Sequence, residues 1–142
     1  MLNVLVTGGA GYIGSHTCLS LLENGYNVTV LENFSNSSPI ALERVELLSG
    51  KKLSVVNGDI RDESFLERVF QSKKRHNERF DLVVHLAGVK SVSESVKDPL
   101  KYWDINLTGS QKLFSVMRSH ECKNLLFSST STVYGNPTCF PL

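Results

Sequence analysis

The chain has 142 residues, 41% of them hydrophobic and 20% charged, with a formal net charge of +1. That length suits one domain, and the balance of charge is neither basic enough to expect nucleic acid nor gathered into runs of one sign. The longest apolar runs are strand-sized, well short of the roughly 20 residues that cross a bilayer, so neither a membrane segment nor a leader peptide is expected.

The first run, LNVLVT over 2–7, is apolar and β-branched almost throughout, as befits a strand buried on both faces of a parallel sheet. A glycine-rich turn follows, and then Ile13, Cys18, Leu21 and Leu22 recur at roughly helical spacing over 12–23, stopped by Asn24 and Gly25. NVTVLE (27–32) reads as a second strand, and FSNSSP as a polar loop. Pro39 suits the first turn of a helix over 40–48 that Ser49 and Gly50 close. KLSVVNGD (52–59) is a third strand, and Asp62 a candidate N-cap for a helix over 64–72. The charged run KKRHNER (73–79) reads as an exposed surface or loop. FDLVVHLAG (80–88) is a fourth strand, the stretch 99–120 carries one or more helices, and KNLLFSS (123–129) is a fifth strand. Strict alternation of this kind predicts an α/β fold: a Rossmann-like doubly wound parallel sheet of about five strands, with right-handed crossovers and helices on both faces. No repeat or linker divides the chain, so 1–142 reads as one domain. The tail NPTCFPL brings two prolines and no further helix, leaving the fifth strand as an open edge; the sequence reads as interrupted there.

The stretch VTGGAGYIGSH (6–16) fits two glycine registers. Gly9, Gly11 and Gly14 spell G-x-G-x-x-G, while Thr7, Gly8, Gly11 and Gly14 spell T-G-x-x-G-x-x-G. Either one turns a strand sharply into a helix, lets backbone approach a pyrophosphate and packs the helix closely on the strand. The helix N-terminus then offers free N–H donors and partial positive charge to phosphates. An acidic residue at the end of the next strand strengthens this reading. That residue is Glu32, 18 positions beyond Gly14. Its carboxylate suits the two ribose hydroxyls of an adenosine and repels a 2′-phosphate. No Arg or Lys lies between Glu32 and Arg44 to neutralise one, so the expected cofactor is NAD rather than NADP. GDIR (58–61) ends the third strand where adenine would lie. Asp59 suits either its amine or a cap on the following turn. Ala87, Gly88 and Lys90 stand at the carboxyl edge of the fourth strand, where open α/β sheets bind ligands.

Together, TGGAGYIGSH, GDIR, HLAGVKSVSESVKDPLKYWDINLTGS and LLFSSTSTVYGNP closely resemble the extended short-chain dehydrogenase/reductase family, in particular its sugar-nucleotide 4-epimerases acting on UDP-hexoses. The resemblance runs the length of the chain and selects the T-G-x-x-G-x-x-G register, making Gly8, Gly11 and Gly14 operative and Gly9 a bystander. It implies that Tyr12 and Ile13 offer backbone contacts to the pyrophosphate. It places Glu32, Asn33, Phe34, Ser35, Asn36 and Ser37 around the adenosine ribose, with Glu32 where the family usually has Asp. Asp59 and Ile60 would meet adenine. Leu86, Ala87, Gly88 and Lys90 would line the nicotinamide side, and Asn106 matches a buried asparagine near the cofactor. Thr130 stands where the family's supporting catalytic hydroxyl sits, often Ser, with Ser131 and Thr132 beside the substrate. Lys90 and Thr130 would also meet substrate. The implied chemistry is transient oxidation at C4 of the sugar, with hydride passing to NAD and back to the other face. Family members that eliminate water carry a carboxylate just after the hydroxyl residue, and Thr130-Ser131-Thr132 has none.

The family's tyrosine base belongs to a Tyr-x-x-x-Lys motif beyond the hydroxyl residue. None of Tyr12, Tyr26, Tyr102 and Tyr134 has a lysine four positions on. The expectation is an amino-terminal portion, inactive alone and lacking the substrate domain. Two alternatives remain: an epimerase of another sugar nucleotide, or a non-catalytic NAD-binding module. His16 and His85 are expected in packing roles and His76 and His120 in solvent. Cys18, Cys122 and Cys139 show no metal-like spacing and suit a reduced, cytoplasmic setting. Leu107, Leu113, Phe114 and Met117 fit one helix face, which either packs on the sheet or serves a homodimer through helices in 92–120.

Overall fold

The computed structural model describes residues 1–75 and 78–135. The chain runs β1 (Asn3–Thr7), α1 (Tyr12–Glu23), β2 (Asn27–Glu32), α2 (Pro39–Ser49), β3 (Ser54–Asn57), α3 (Glu63–Arg75), β4 (Leu82–His85), α4 (Val92–Lys97), α5 (Pro99–Tyr102), a π-helical segment (Trp103–Thr108), α6 (Gly109–Ser119), β5 (Leu125–Phe127) and a 3₁₀ turn (Ser131–Tyr134). All five strands are parallel, in the order β3-β2-β1-β4-β5. The order reverses between β1 and β4, which creates a crevice at their carboxyl ends.

Alternation along β1 explains the two-faced packing. Val4 and Val6 join Cys18 and Leu22 of α1 and Leu42 and Val45 of α2 on one side of the sheet. Leu5 faces the other way, with Leu66, Val69 and Phe70 of α3 and Leu113, Val116 and Met117 of α6. Every residue of β1 is buried, as a central parallel strand requires. Burial pushes the Cys18 thiol up to about 12, which makes it a small core residue rather than a reactive one.

The loops after the strands are closed by side chains at helix starts. Ser38 accepts the amide of Ile40, Asp62 that of Phe65, Ser91 that of Glu94 and Asp98 that of Lys101. Several expectations need correction. Helical structure begins at Val92 rather than 99, because Ser91 and Asp98 each cap a short helix. Lys73, Lys74 and Arg75 belong to the last turns of α3 rather than to a loop; Lys73 reaches Glu78 at 3.1 Å and lies over the Phe80 ring. His16 is exposed beside Tyr12 rather than packed. His120 is held by Glu67 at 2.6 Å instead of facing solvent. Leu113 and Met117 are core residues, whereas Leu107 and Phe114 are exposed. β5 lies at a sheet edge, with Leu126 and Phe127 half exposed. His76, Cys139 and the tail NPTCFPL lie outside the described residues. Among those described, no helix is long and apolar enough to cross a membrane.

Candidate nucleotide site

The turn between β1 and α1 shows what each glycine does. Gly8 has φ +73°, and a Cβ there would lie 2.7 Å from the Ala87 nitrogen. A Cβ on Gly14 would fall 2.2 Å from the Gly8 oxygen, so the helix can approach the strand only without one. Gly9 is no bystander, since a Cβ would strike the methyls of Val30 at 2.7 Å and 2.8 Å. Gly11 is different: the nearest neighbour of its Cβ would be the Gly8 oxygen at 3.4 Å. Nothing in the fold itself requires glycine there, and the turn is open on that side.

Gly11 is the N-cap of α1 and supplies no side-chain acceptor. Helices α2, α3, α4 and α5 all have one. The first-turn amides of α1, Tyr12 and Ile13 included, therefore keep free donors, together with the positive end of the helix dipole. Glu32 closes the site from β2. It is 7% exposed; its Oε2 accepts the Ala10 amide at 3.1 Å and its Oε1 the Phe34 amide at 3.2 Å. Each oxygen keeps a further lone pair, and the carboxylate lies against the glycine turn. Phe34, at φ 55°, turns the chain so that Ser35 can bond back to Asn33. The buried Ser37 Oγ has no hydrogen-bond partner among the described residues. A buried hydroxyl without a partner, in the loop after β2, fits a polar ligand that supplies one.

The loop after β3 departs from expectation. Asp59 takes the capping alternative, accepting from the backbone amide of Arg61 at 2.9 Å. Its two oxygens also hold Arg61 Nε, Arg61 Nη2 and Asn33 Nδ2 at 2.8–3.0 Å. Four donors fill the carboxylate, leaving nothing for an adenine amine. The Arg61 guanidinium holds this carboxyl far below the usual range. Ile60 is buried in the core against Gly109, so an adenine contact there falls to its backbone. Arg61 also binds Asp104 at 2.8 Å and so ties the β3 loop to the π-helical segment. Neither residue stands out in the sequence as half of this tie, because the bond joins positions 43 apart.

On the β4 side, Asn106 is exposed rather than buried. Its side chain still grips the loop: Oδ1 accepts from the Val89 amide and Nδ2 donates to the Val89 carbonyl, both at 2.9 Å. A Cβ on Gly88 would meet Asn106 Oδ1 at 3.0 Å. Leu86 and Ala87 are half-buried, and Lys90 is exposed at the loop's end. His85 is 2% exposed between Thr7 and Ser110. Burial lowers its pKa to about 4, so it is neutral at physiological pH. Thr130, Ser131 and Thr132 are exposed beyond β5, and the Thr130 hydroxyl bonds that of Thr132 at 2.9 Å.

This strand order, with a glycine turn at the switch point and an acid closing the second strand, defines a doubly wound dinucleotide-binding domain. A profile described as the NAD dependent epimerase/dehydratase family matches residues 4–141, and the chain belongs to that family. It is 50% identical to a mouse UDP-glucose 4-epimerase, matching over 100% of this chain and 41% of the relative. A UDP-glucose 4-epimerase from Cyamopsis tetragonoloba is 52% identical over 97% of the chain and 39% of its own length. Among solved structures, the Bifidobacterium longum UDP-glucose 4-epimerase in complex with NAD+ and UDP superposes with a TM-score of 0.91 at 48% identity, covering 99% of this chain and 40% of that one. The Stenotrophomonas maltophila enzyme with bound NAD and formylated UDP-arabinopyranose gives 0.92 at 41% identity, covering 100% and 41%. The chain thus spans about 40% of the length of the relatives it matches.

Proposed function

We propose that this chain is the NAD-binding part of a UDP-hexose 4-epimerase, interconverting UDP-glucose and UDP-galactose in cytoplasmic galactose metabolism. The observation that carries the cofactor reading is the uncapped start of α1 facing the buried carboxylate of Glu32. The α1 amides and Gly11 would hold the pyrophosphate, and the free lone pairs of Glu32 would accept the adenosine ribose hydroxyls. Ser37 would complete that pocket. Leu86, Ala87, Gly88 and Lys90 would flank the nicotinamide half. Thr130 would lend its hydroxyl to the sugar's O4 once released from Thr132, a general acid–base support role, with Ser131 and Thr132 against the sugar. NAD, when bound, supplies the reversible hydride acceptor that inversion at C4 needs. The names and ligands of the relatives support the substrate class.

With no Tyr-x-x-x-Lys in its 142 residues, the chain by itself is not expected to turn over. Titrating NAD while following thermal melting tests the cofactor part. At a hundredfold excess over Kd, a ligand bound only to the folded form adds about 2.7 kcal/mol, so a clear rise in Tm is expected with NAD and a smaller one at equal NADP. No rise at saturating NAD would refute the site.

A series of exposed apolar residues along the α4–α6 flank supports a homodimer. Val92, Val96, Leu100, Trp103, Leu107 and Phe114 follow one another at intervals of three, four or seven and are all exposed, and large apolar side chains exposed in such a series suit a protein–protein contact. Sedimentation should give twice the chain mass at micromolar concentration, and Trp103→Glu should return the monomer; a wild-type monomer at high concentration would rule the dimer out.

A further inference from the structure

We propose that His85, as the neutral imidazole protonated on Nε2, is the positioning residue for the loop after β4. This rests on the reading above, in which that loop flanks the nicotinamide half. Hydrogen counting along a chain of contacts through the buried ring fixes the tautomer. The Ser110 hydroxyl donates to the Asn106 carbonyl at 2.6 Å. Its one hydrogen is then spent, so at 2.8 Å it accepts from His85 Nε2. Nδ1 is left bare and accepts from the Thr7 hydroxyl at 2.7 Å. Thr7 Oγ1 in turn accepts the Ala87 amide at 3.3 Å. Each hydroxyl donates once and accepts once, and only this arrangement satisfies all of them. The other tautomer turns the Ser110 hydrogen towards the ring and abandons the Asn106 carbonyl. It also leaves the Thr7 hydrogen without an acceptor.

Both ends of the relay return to the same loop. At one end Thr7 holds Ala87. At the other, Ser110 fixes the Asn106 backbone, whose side chain holds both polar groups of Val89. Gly88 is caught between them. The last bond in register with β1 is from the Leu86 amide to the Thr7 carbonyl. Beyond that point the loop is held by side chains, and His85 connects the two that matter. The rings of Phe114 and Phe127 lie 6.0 Å and 5.6 Å from the imidazole and shield it from water. The adenosine side, built from the α1 amides and Glu32, has no member in this relay, so the two halves of the ligand should respond differently when it is cut.

The ring itself can be read by ¹⁵N-edited NMR of the labelled chain. The expected signature is a hydrogen on Nε2 and a bare Nδ1 at neutral pH; a hydrogen on Nδ1 overturns the proposal whatever the ligand does. Binding supplies the second arm, using NADH emission for the nicotinamide half and ADP for the adenosine half. His85→Leu should weaken NADH at least tenfold while ADP stays within twofold, and His85→Gln, which can both donate and accept, should recover most of the loss. Equal losses for both ligands, or none for either, overturn the positioning role. Should His85→Leu fail to fold, Ser110→Ala cuts the Asn106 arm alone and should show the same split. A wild-type chain that binds neither ligand sinks the nucleotide reading instead, and the NMR result still decides the tautomer.

Discussion

Gly14→Ala should lower the melting temperature by roughly 10 °C for a domain of this size, and Gly11→Ala by little. A Cβ at 14 would sit 2.2 Å from the Gly8 oxygen and 2.7 Å from the Gly9 Cα, both backbone atoms of the turn itself. Neither can rotate away, so α1 must lift off the sheet. Overpacking of this kind costs about 3 kcal/mol. Lifting α1 also opens the seam where Cys18 and Leu22 meet Val6 and Val30. At Gly11 the new methyl finds only the Gly8 oxygen, at 3.4 Å, and exchanging glycine for alanine at an N-cap costs on the order of 1 kcal/mol or less. Its methyl would instead occupy the space offered to a diphosphate. Gly11→Ala should therefore melt nearly as the wild type does and bind NAD at least tenfold more weakly. Thermal scans with and without NAD check both, and equal losses of stability in the two variants would contradict these roles for Gly14 and Gly11.

Acid should destabilise the chain by about 3 kcal/mol between pH 7 and pH 4 through His85 alone. The ring's pKa falls from an ordinary 6.5 to about 4 because burial disfavours the charged form. In that interval the unfolded chain binds a proton that the folded one refuses. Stability is therefore complete above about 6.5, declines as pH falls, and levels off below about 4. No cation or carboxylate shares the ring's contacts; its described neighbours are the Thr7 and Ser110 hydroxyls and two phenyl rings. Asp59 acts in the same direction but only in stronger acid, since its carboxyl titrates below the normal range. Urea unfolding at pH 7, 5.5 and 4.5 should show this slope in wild type and a much flatter one in His85→Gln. Parallel slopes would place the acid sensitivity elsewhere.

Much of the architecture was legible because parallel strands advertise themselves. NVTVLE spans β2 end to end, and Asn24-Gly25 and Ser49-Gly50 mark where α1 and α2 stop. The glycine turn and Glu32 could be paired from sequence because a fixed crossover joins them. What escaped was whatever depends on contacts distant in sequence. Asp59 reads as a cap or as an adenine partner, and what decides between them includes Asn33, which fills one oxygen from 26 residues away. Gly9 looked idle because Val30, the side chain it makes room for, lies on the next strand. Ile60 looked like ligand lining until the neighbouring helix buried it. Helix α4 was overlooked since its six residues are mostly polar and exposed, and its signal is the cap at Ser91 rather than any apolar period.

Glu32 performs two tasks with one carboxylate, and this constrains how the site could change its coenzyme. Replacing it with a small or basic residue is the obvious route to welcoming a 2′-phosphate. Yet the same oxygens hold the amides of Ala10 and Phe34, so the swap also loosens the turn on which, in the proposed function, the diphosphate would rest. A lineage shifting towards the phosphorylated coenzyme would have to mend that turn first, or in the same step. Selectivity here is guarded by the scaffold as well as by repulsion.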